Sequence, residues 1–357
     1  MKAYTGLAES MWHVIGNPRA VKLLKRSLEV ERLAQAYLLV GPHHVGKTTL
    51  AINLAQALNC EQEDSPCGQC SSCLRIAAGN HADVQIIGRL SENNSSLKKE
   101  ISIGQIRDLQ RAAALQPYEG KYRVFIIDGA EYLNEESANS LLKTLEEPPP
   151  KVVIALLTVD DGRLLPTIIS RCRRIQLFPL HASLIEQALI ERWEVAPEKA
   201  RVTGKLCRGG IGWAISASLD EELLQERSLK LAELVGLATA SLEQRFAFAA
   251  RLAAQFAKSR DSVEDTLRLW LEWWRDLLLV NGGCPRFITN VDQEVTLQQQ
   301  AEDYSLSEIR CFVEAILTAL EQLEQNANPR LVLEVLMLSI PKRENRGRLM
   351  QHTGLLE

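Results

Sequence analysis

The first half of the chain alternates between continuous apolar runs and amphipathic stretches. Aliphatic and aromatic residues dominate the runs at positions 37–40, 83–87, 122–128, 152–158 and 175–178. Such runs are typical of strands that are buried on both faces of a parallel sheet. Between the runs, apolar residues recur every three or four positions, as amphipathic helices require. The alternation predicts an α/β domain with a parallel sheet and helices on both faces.

From residue 179 onward the pattern is helical throughout. Amphipathic segments between residues 184 and 219 predict a small helical unit, and longer segments follow. In the longer region, one predicted helix face carries Leu267, Trp270, Trp274 and Leu277. We interpret this face as core packing rather than as a platform on which nucleic-acid bases stack. The predicted domain boundaries are 1–178, 179–221 and 222–357.

The composition is that of an ordinary globular protein. Of its 357 residues, 46% are hydrophobic and 24% are charged, close to the averages for soluble domains. The net charge of −4 argues against a strongly basic nucleic-acid-binding protein. The sequence lacks a signal-peptide pattern at its start and an apolar run of membrane-spanning length. We therefore expect a cytoplasmic protein that does not bind membranes.

One stretch has the form G-x-x-x-x-G-K-T. It reads Gly41-Pro42-His43-His44-Val45-Gly46-Lys47-Thr48, and Thr49 follows it. A predicted strand precedes the stretch and a predicted helix follows it, which is the context that a phosphate-binding loop requires. Backbone N–H groups and the positive end of the helix would face the phosphates. Lys47 is expected to reach the β and γ phosphates, and Thr48 to hold Mg²⁺.

Two further nucleotide-binding candidates stand at the ends of predicted strands. Asp128 closes the apolar run 122–128, at the edge where open α/β sheets place their ligands. An acid at this position holds the metal ion in phosphate-binding-loop proteins, so Asp128 is predicted to bind Mg²⁺ together with Thr48. Thr158 ends the next run, and we include it among the nucleotide-binding residues.

Four of the eight cysteines lie close together. They are Cys60, Cys67, Cys70 and Cys73. Two overlapping C-x-x-C steps with a fourth cysteine nearby suit a tetrahedral Zn²⁺ site, which would be structural because no position stays open for water. Thiolates also bind iron–sulfur clusters, which is the alternative interpretation. The scattered cysteines are predicted to be buried thiols: Cys172, Cys207, Cys284 and Cys311.

Together these motifs resemble one family, the bacterial clamp-loader AAA+ proteins of DNA polymerase III, and within it the delta-prime kind. The stretches that carry the resemblance are 14–17, 36–42, 138–149, 164–172 and the four-cysteine insertion. The resemblance is strong over roughly residues 10–180. It implies a RecA-like AAA+ domain, a helical lid over 179–221, and a collar domain over 222–357 that oligomerises.

The resemblance also implies partners. Proteins of this family form a hetero-pentamer in which gamma/tau and delta subunits accompany the delta-prime subunit. That assembly loads the ring-shaped sliding clamp onto primer–template DNA. The cofactors expected for this chain are the structural Zn²⁺ that the cysteine spacing predicts and ATP or ADP with Mg²⁺ at the phosphate-binding loop.

Two positions depart from the hydrolysing members of the family. Gly129 stands where those members carry the glutamate that activates the attacking water, and Glu131 lies two residues further on. Trp213 stands where they carry an arginine that senses the γ phosphate. The chain is therefore expected to bind nucleotide and to hydrolyse it weakly or not at all.

Arg171 lies in a Ser-Arg-Cys motif, residues 170–172. In the family this arginine reaches into the neighbouring subunit's nucleotide site, where such a finger stabilises charge on the γ phosphate. The alternative for Arg171 is a surface salt bridge. Two other functions compete for the whole chain: a hydrolysing gamma/tau-type ATPase, and a different phosphate-binding-loop enzyme that uses zinc for chemistry.

Overall fold

The computed structural model describes residues 12–30, 32–89, 91–92, 96–97 and 100–341. The chain divides into two compact units: Met1–Trp193 with Gly209–Trp213, and Glu194–Arg208 with Ala214–Glu357. The predicted division into three domains stays a prediction.

The first unit contains the strands β1 (Ala36–Val40), β2 (Val84–Ile87), β3 (Ser91–Glu92), β4 (Ser96–Leu97), β5 (Arg123–Asp128), β6 (Val152–Thr158) and β7 (Arg173–Gln176). Among the described residues, five of these strands form one parallel sheet in the order β2-β5-β6-β1-β7, and β3 pairs with β4. Its helices are α1 (Pro18–Glu29), α2 (Lys47–Asn59), α3 (Ser71–Ala77), α4 (Ile103–Ala113), α5 (Glu135–Glu146), α6 (Pro166–Ile169) and α7 (Ala182–Trp193).

The period of two along each strand distributes side chains to the two faces of the sheet. On one face, Leu39 and Ile126 pack with α1 and α2. On the other face, Leu38 and Ile127 pack with α4, α5 and α6. Because both faces are covered by helices, β1, β5 and β6 are apolar almost throughout, and the predicted fold class is confirmed.

The edges of the sheet correct two details. The run 83–87 was predicted as a buried strand, but Ile86 of β2 is 46% exposed, because β2 pairs with β5 alone at the edge. The last strand was predicted at 175–178, whereas β7 spans Arg173–Gln176. The two arginines of β7 are tolerated because this strand lies at the other edge and pairs only with β1.

The remaining helices are α8 (Pro197–Leu206), α9 (Ile211–Leu219), α10 (Glu221–Gly236), α11 (Leu242–Lys258), α12 (Arg260–Asn281), α13 (Glu294–Ala301), α14 (Leu306–Glu324) and α15 (Pro329–Leu338). In the second unit, Trp270 and Trp274 of α12 pack edge-on against Phe312 of α14, with ring centroids 4.9 Å and 4.7 Å apart. The interpretation of this helix face as core is confirmed. Among the described residues, no helix is long and apolar enough to cross a membrane.

Candidate functional site

The predicted phosphate-binding loop joins β1 to α2. Lys47 and Thr48 form the first turn of α2. Before them, Gly46 has φ 103° and His44 has φ 60°, two left-handed conformations that turn the backbone sharply. The loop therefore curls over the positive end of α2, in the strand–loop–helix context that the motif requires.

The ammonium group of Lys47 lies inside this loop. Its Nζ donates hydrogen bonds to the carbonyl oxygens of Gly41 at 2.6 Å and Pro42 at 2.8 Å, and the residue is only 8% exposed. Burial lowers the pKa of Lys47, while the carboxylates of Glu131 and Asp128 act in the opposite direction. The ammonium is thus positioned by loop carbonyls and by nearby negative charge.

Thr48 and Asp128, the two predicted Mg²⁺ ligands, lie side by side. The Thr48 hydroxyl donates to Asp128 Oδ2 at 3.3 Å. Asp128 is the last residue of β5 and is exposed at the carboxyl edge of the sheet. A hydroxyl and a carboxylate beside a phosphate-binding loop are the pair with which such proteins hold Mg²⁺.

The other predicted nucleotide-binding residues are placed differently. Exposed positions of the loop are Pro42, His43, His44 and Thr49, whereas Gly41 and Val45 are buried. Thr158 lies beside Val40 at the end of β6, but its hydroxyl donates to the Asp160 carbonyl at 2.8 Å and accepts from the Asp160 N–H at 3.2 Å. Both of these hydrogen bonds are with the backbone of Asp160, so the hydroxyl stabilises the turn after β6. A contact of Thr158 with nucleotide stays a prediction.

The turn after Asp128 is shaped for glycine. Gly129 has φ 80°, and a Cβ at this position would lie 2.7 Å from Cδ2 of Tyr132. Any other residue would need a strained backbone and a displaced Tyr132 ring. The turn therefore lacks a carboxylate at position 129 and has no strain-free place for one.

From the sequence, Glu131 was judged too far from position 129 to replace the missing glutamate. The structure places its carboxylate near the predicted phosphate-binding loop. A 3₁₀ turn over Ala130–Tyr132 brings its carboxylate to the end of β6, where Oε1 accepts from the Val159 N–H at 3.4 Å. Its Oε2 is buried and has no hydrogen-bond partner among the described residues. The sequence signal that pointed to Glu131 was the presence of an acidic residue three positions after Asp128.

Residues that the motif does not include surround the loop. Cγ1 of Val14 lies 4.0 Å from the place that a Cβ on Gly46 would take. The N–H of Gly212 donates to the carbonyl oxygen of His44 at 2.9 Å. Next to Gly212, Trp213 is half-buried in the first turn of α9, and the sequence 209–219 contains no arginine. The sequence had singled out the stretch 14–17 and Trp213, but it gave no signal for the hydrogen bond between Gly212 and His44.

The four clustered cysteines converge on one point. Their sulfur atoms all lie within 4.8 Å of one another. Two sulfurs bound to one zinc ion at about 2.3 Å are at most about 4.6 Å apart, so the cluster has the size of a single-ion site. The Cys67 sulfur also accepts from the N–H groups of Gln69 at 3.5 Å and Cys70 at 3.3 Å. This group of thiols fits a metal ion.

The environment of the cluster differs between its thiols. Burial raises the pKa of Cys60 and of Cys73. Burial acts in the same direction on Cys67, but the N–H groups of Gln69 and Cys70 outweigh it and lower the pKa of Cys67 to about 7. These donors stabilise a thiolate, the form in which cysteine binds metal.

The scattered cysteines correct part of a prediction. Cys207 is buried and Cys172 half-buried, but Cys284 and Cys311 are exposed. Cys284 lies in the turn after α12 and Cys311 on the outer face of α14, so neither reaches a core.

Arg171 follows α6 and faces outward. Its side chain is 35% exposed, and Nη2 donates to Glu146 Oε1 at 2.6 Å. Its Nη1 donates to the carbonyl oxygen of Thr167 at 3.0 Å. The next residue, Cys172, packs against the core of the first unit, and burial raises the pKa of its thiol to about 12. Within one motif, Cys172 anchors the backbone and Arg171 stays accessible.

Comparison with known proteins places this site in a family. A family model described as "DNA polymerase III, delta subunit" matches residues 16–181, and one described as "DNA polymerase III, delta subunit, C terminal" matches residues 221–342. The chain is 32% identical over 324 residues to DNA polymerase III subunit delta′ of Bacillus subtilis, covering 90% of this chain and 95% of that protein. The chain belongs to the delta′ family of DNA polymerase III clamp-loader proteins.

Other relatives of this delta′ family member are more distant. It is 26% identical over 349 residues to DNA polymerase III subunit tau of Bacillus subtilis, covering 92% of this chain but 60% of the tau subunit. Among solved structures, a gamma subunit-related protein from Thermotoga maritima is 19% identical, covering 89% of this chain and 98% of that chain, with a TM-score of 0.42. A Thermotoga maritima RuvB structure has a TM-score of 0.39 and 19% identity, over 58% of this chain and 62% of that one. Likeness at this level does not bear on function.

Proposed function

We propose that this chain is a delta-prime-type scaffold subunit of the clamp loader, which binds nucleotide, hydrolyses it slowly, and lends Arg171 to a neighbouring subunit. The observation that carries the proposal is Gly129. Its left-handed φ of 80° supports a turn that lacks the water-activating carboxylate and has no strain-free place for one. The phosphate-binding residues around that turn are nevertheless intact.

Nucleotide binding rests on Lys47, Thr48 and Asp128. The loop N–H groups and Lys47 would hold the phosphates of ATP or ADP, and Thr48 with Asp128 would hold Mg²⁺. The distance of 3.3 Å between Thr48 Oγ1 and Asp128 Oδ2 supports this pair. The ion would neutralise charge on the β and γ phosphates.

The role of Arg171 rests on its exposure and its chemistry. An arginine that is charged at every physiological pH and offers a planar fork of N–H donors suits phosphate oxygens. The outward-facing side chain, 35% exposed, supports contact with a nucleotide held by another subunit. In that position it would stabilise the charge that develops during phosphoryl transfer there.

The four cysteines would hold one structural Zn²⁺. Four thiolate ligands saturate a tetrahedral ion, so the ion would support the fold rather than activate water. The close approach of the four sulfurs, within 4.8 Å, favours a single ion over an iron–sulfur cluster.

The proposed partners follow from family membership. They are the gamma/tau and delta subunits in a hetero-pentamer, the sliding clamp, and primer–template DNA that the assembly encircles with the clamp. The similarity of this chain to a tau subunit over 92% of its length supports a shared architecture for neighbouring subunits.

A hydrolysing gamma/tau-type ATPase is the second candidate, and one observation favours it. The buried Oε2 of Glu131 has no hydrogen-bond partner among the described residues, and this carboxylate lies close enough to Lys47 to affect its pKa. If Glu131 orients water, the isolated chain hydrolyses ATP and Glu131→Gln abolishes that turnover.

Calorimetric titration with ATP and ADP, paired with an ATPase assay of the isolated chain, tests the proposal. The wild-type chain is expected to bind at least one of the two nucleotides, and Lys47→Ala to bind neither, because the loop then loses its phosphate ligand. Turnover is expected to be very slow in the wild type and no faster in Lys47→Ala. Failure of the wild type to bind at millimolar nucleotide would refute the binding claim, and brisk turnover would favour the second candidate.

A further inference from the structure

We propose that Glu146 is a positioning residue for Arg171: its carboxylate holds the guanidinium in the orientation in which it serves a neighbouring nucleotide site. The inference rests on the proposed function of Arg171 and adds a residue to it. Glu146 is the last residue of α5, on a different element from Arg171, and the phosphate-binding motif does not include it.

The guanidinium is held at both terminal nitrogens. Nη2 donates to Glu146 Oε1 at 2.6 Å, which is short, as expected for a charge-assisted hydrogen bond. Nη1 donates to the carbonyl oxygen of Thr167, in the first turn of α6, at 3.0 Å. Two acceptors on two elements therefore define the plane of the guanidinium.

The backbone beneath this arrangement is anchored as well. Ile168 is 1% exposed in the core that packs against β5 and β6, and Cys172 packs onto the same core. The N–H of Arg171 donates to the Ile168 carbonyl at 3.1 Å. With its backbone held on both sides, the side-chain torsions of Arg171 are the remaining freedom, and Glu146 restricts them.

The physical effect is preorganisation. A free arginine side chain loses rotamer entropy when it engages a phosphate, and holding it beforehand removes part of that cost. Arginine has five N–H donors, so the contacts with Glu146 and Thr167 leave others for phosphate oxygens. Because the pair is exposed, with Glu146 at 49% and Arg171 at 35%, the effect is modest.

The test is a double-mutant cycle in reconstituted clamp-loader assemblies in which only this subunit is changed. Glu146→Gln is expected to lower the kcat of ATP hydrolysis at the neighbouring site by roughly two- to fivefold. The KM for ATP stays unchanged, because the neighbour binds ATP with its own loop. Glu146→Asp keeps the charge on a shorter side chain, so its loss of kcat is expected to be smaller than that of Glu146→Gln. In an Arg171→Ala background, Glu146→Gln has no further effect.

Glu147→Gln is the matched control, since it removes the same charge from the next residue. Glu147 is exposed and forms no ion pair within the described part of the chain. Assemblies that carry Glu147→Gln are therefore expected to have the wild-type kcat. A normal or raised kcat for Glu146→Gln, or an equal loss in the Arg171→Ala background, overturns the positioning role. If Arg171→Ala leaves kcat unchanged, the proposed role of Arg171 at the neighbouring site fails instead. The experiment therefore distinguishes failure of the Glu146 proposal from failure of the Arg171 proposal.

Discussion

Among single residues, Gly129 is the one on which the proposed lack of hydrolysis depends. In the family, hydrolysing members place a glutamate after the metal-binding aspartate, and that difference is visible in the sequence. The left-handed φ of 80° and the approach of Tyr132 to the missing Cβ are not visible there, because they depend on how the turn folds. The sequence thus predicts the missing carboxylate, whereas the conformation of the turn comes from the structure alone.

Restoring the missing carboxylate is therefore expected to fail. Gly129→Glu should not raise ATP turnover, and it should lower the free energy of unfolding by roughly 2 kcal/mol or more, from backbone strain and displacement of the Tyr132 ring. Gly79→Glu is the control, since Gly79 has φ 73° with open space around its Cβ position and carries the backbone strain alone. Chemical denaturation and an ATPase assay measure both effects. A stable Gly129→Glu chain that hydrolyses ATP briskly would contradict this account.

Asp83 is a buried charge held by backbone donors. It is 1% exposed and accepts N–H groups from Tyr118, Glu119 and Gly120 at 2.7, 2.9 and 2.8 Å, together with Arg123 at 3.1 Å. Burial raises its pKa, but these donors outweigh burial and lower the pKa from 3.8 to about 2. The carboxylate therefore closes the turn that leads into β5.

This lowered pKa predicts a pH dependence. Because the folded pKa is below the unfolded one, Asp83 stabilises the fold above about pH 4, and the contribution fades as the pH falls toward about 2. Asp83→Asn should cost roughly 2 kcal/mol near pH 6, with a smaller difference from wild type near pH 3. Urea unfolding at the two pH values measures this, with Asp108→Asn, on the exposed face of α4, as control. A difference that does not depend on pH would contradict the assignment.

Among elements, the cysteine module and the turn before β5 form one connected structure. Arg75 of α3 pairs with Glu119 at 2.7 Å. Lys121 Nζ donates to the Cys60 carbonyl at 2.7 Å, and the Tyr122 N–H donates to Asn59 Oδ1 at 2.9 Å. The module therefore braces the turn 118–122, although the two are separated by more than 40 positions in the sequence.

Metal removal is expected to loosen that turn. Chelation of the Zn²⁺-loaded chain should increase hydrogen exchange at 118–122, because metal binding is coupled to folding of the module. Cys70→Ser should have the same effect, and the turn 325–328 between α14 and α15 serves as the internal control. Exchange at 118–122 that is indifferent to the metal, in a chain shown to have lost it, would contradict the bracing role. Metal analysis of the purified chain that finds no zinc, or finds iron and sulfide, would overturn the site itself.

Periodicity predicted the order and class of these elements because buried strands and amphipathic helices leave regular patterns. It misplaced β7 and predicted β2 as buried because edge position depends on strand order, which periodicity does not contain. The exposure of Cys284 and Cys311 was missed for a similar reason: a small apolar residue on a helix or in a turn gives no sign of which side it faces. The contact between Glu146, at the end of α5, and Arg171, in the turn after α6, has no local signature.

For the whole molecule, we propose that this delta′ family member contributes to hydrolysis through a neighbour's site rather than through its own. Its phosphate-binding loop and Arg171 both belong to the first unit. We propose that the loop binds this chain's own nucleotide, whereas Arg171 contacts the nucleotide of a neighbouring subunit. Substitutions at the two places should therefore have separable consequences in an assembly.

The most direct measurement is clamp- and DNA-stimulated ATP hydrolysis by reconstituted assemblies in which only this subunit carries Arg171→Ala or Lys47→Ala. Arg171→Ala should slow hydrolysis at the shared site by on the order of 10³-fold, lower total turnover only by that site's share, and leave the melting temperature nearly unchanged. Arg171→Lys should recover part of the loss, and Lys47→Ala should leave the rate as it was. An Arg171→Ala assembly of verified composition that hydrolyses ATP at the wild-type rate would contradict the account.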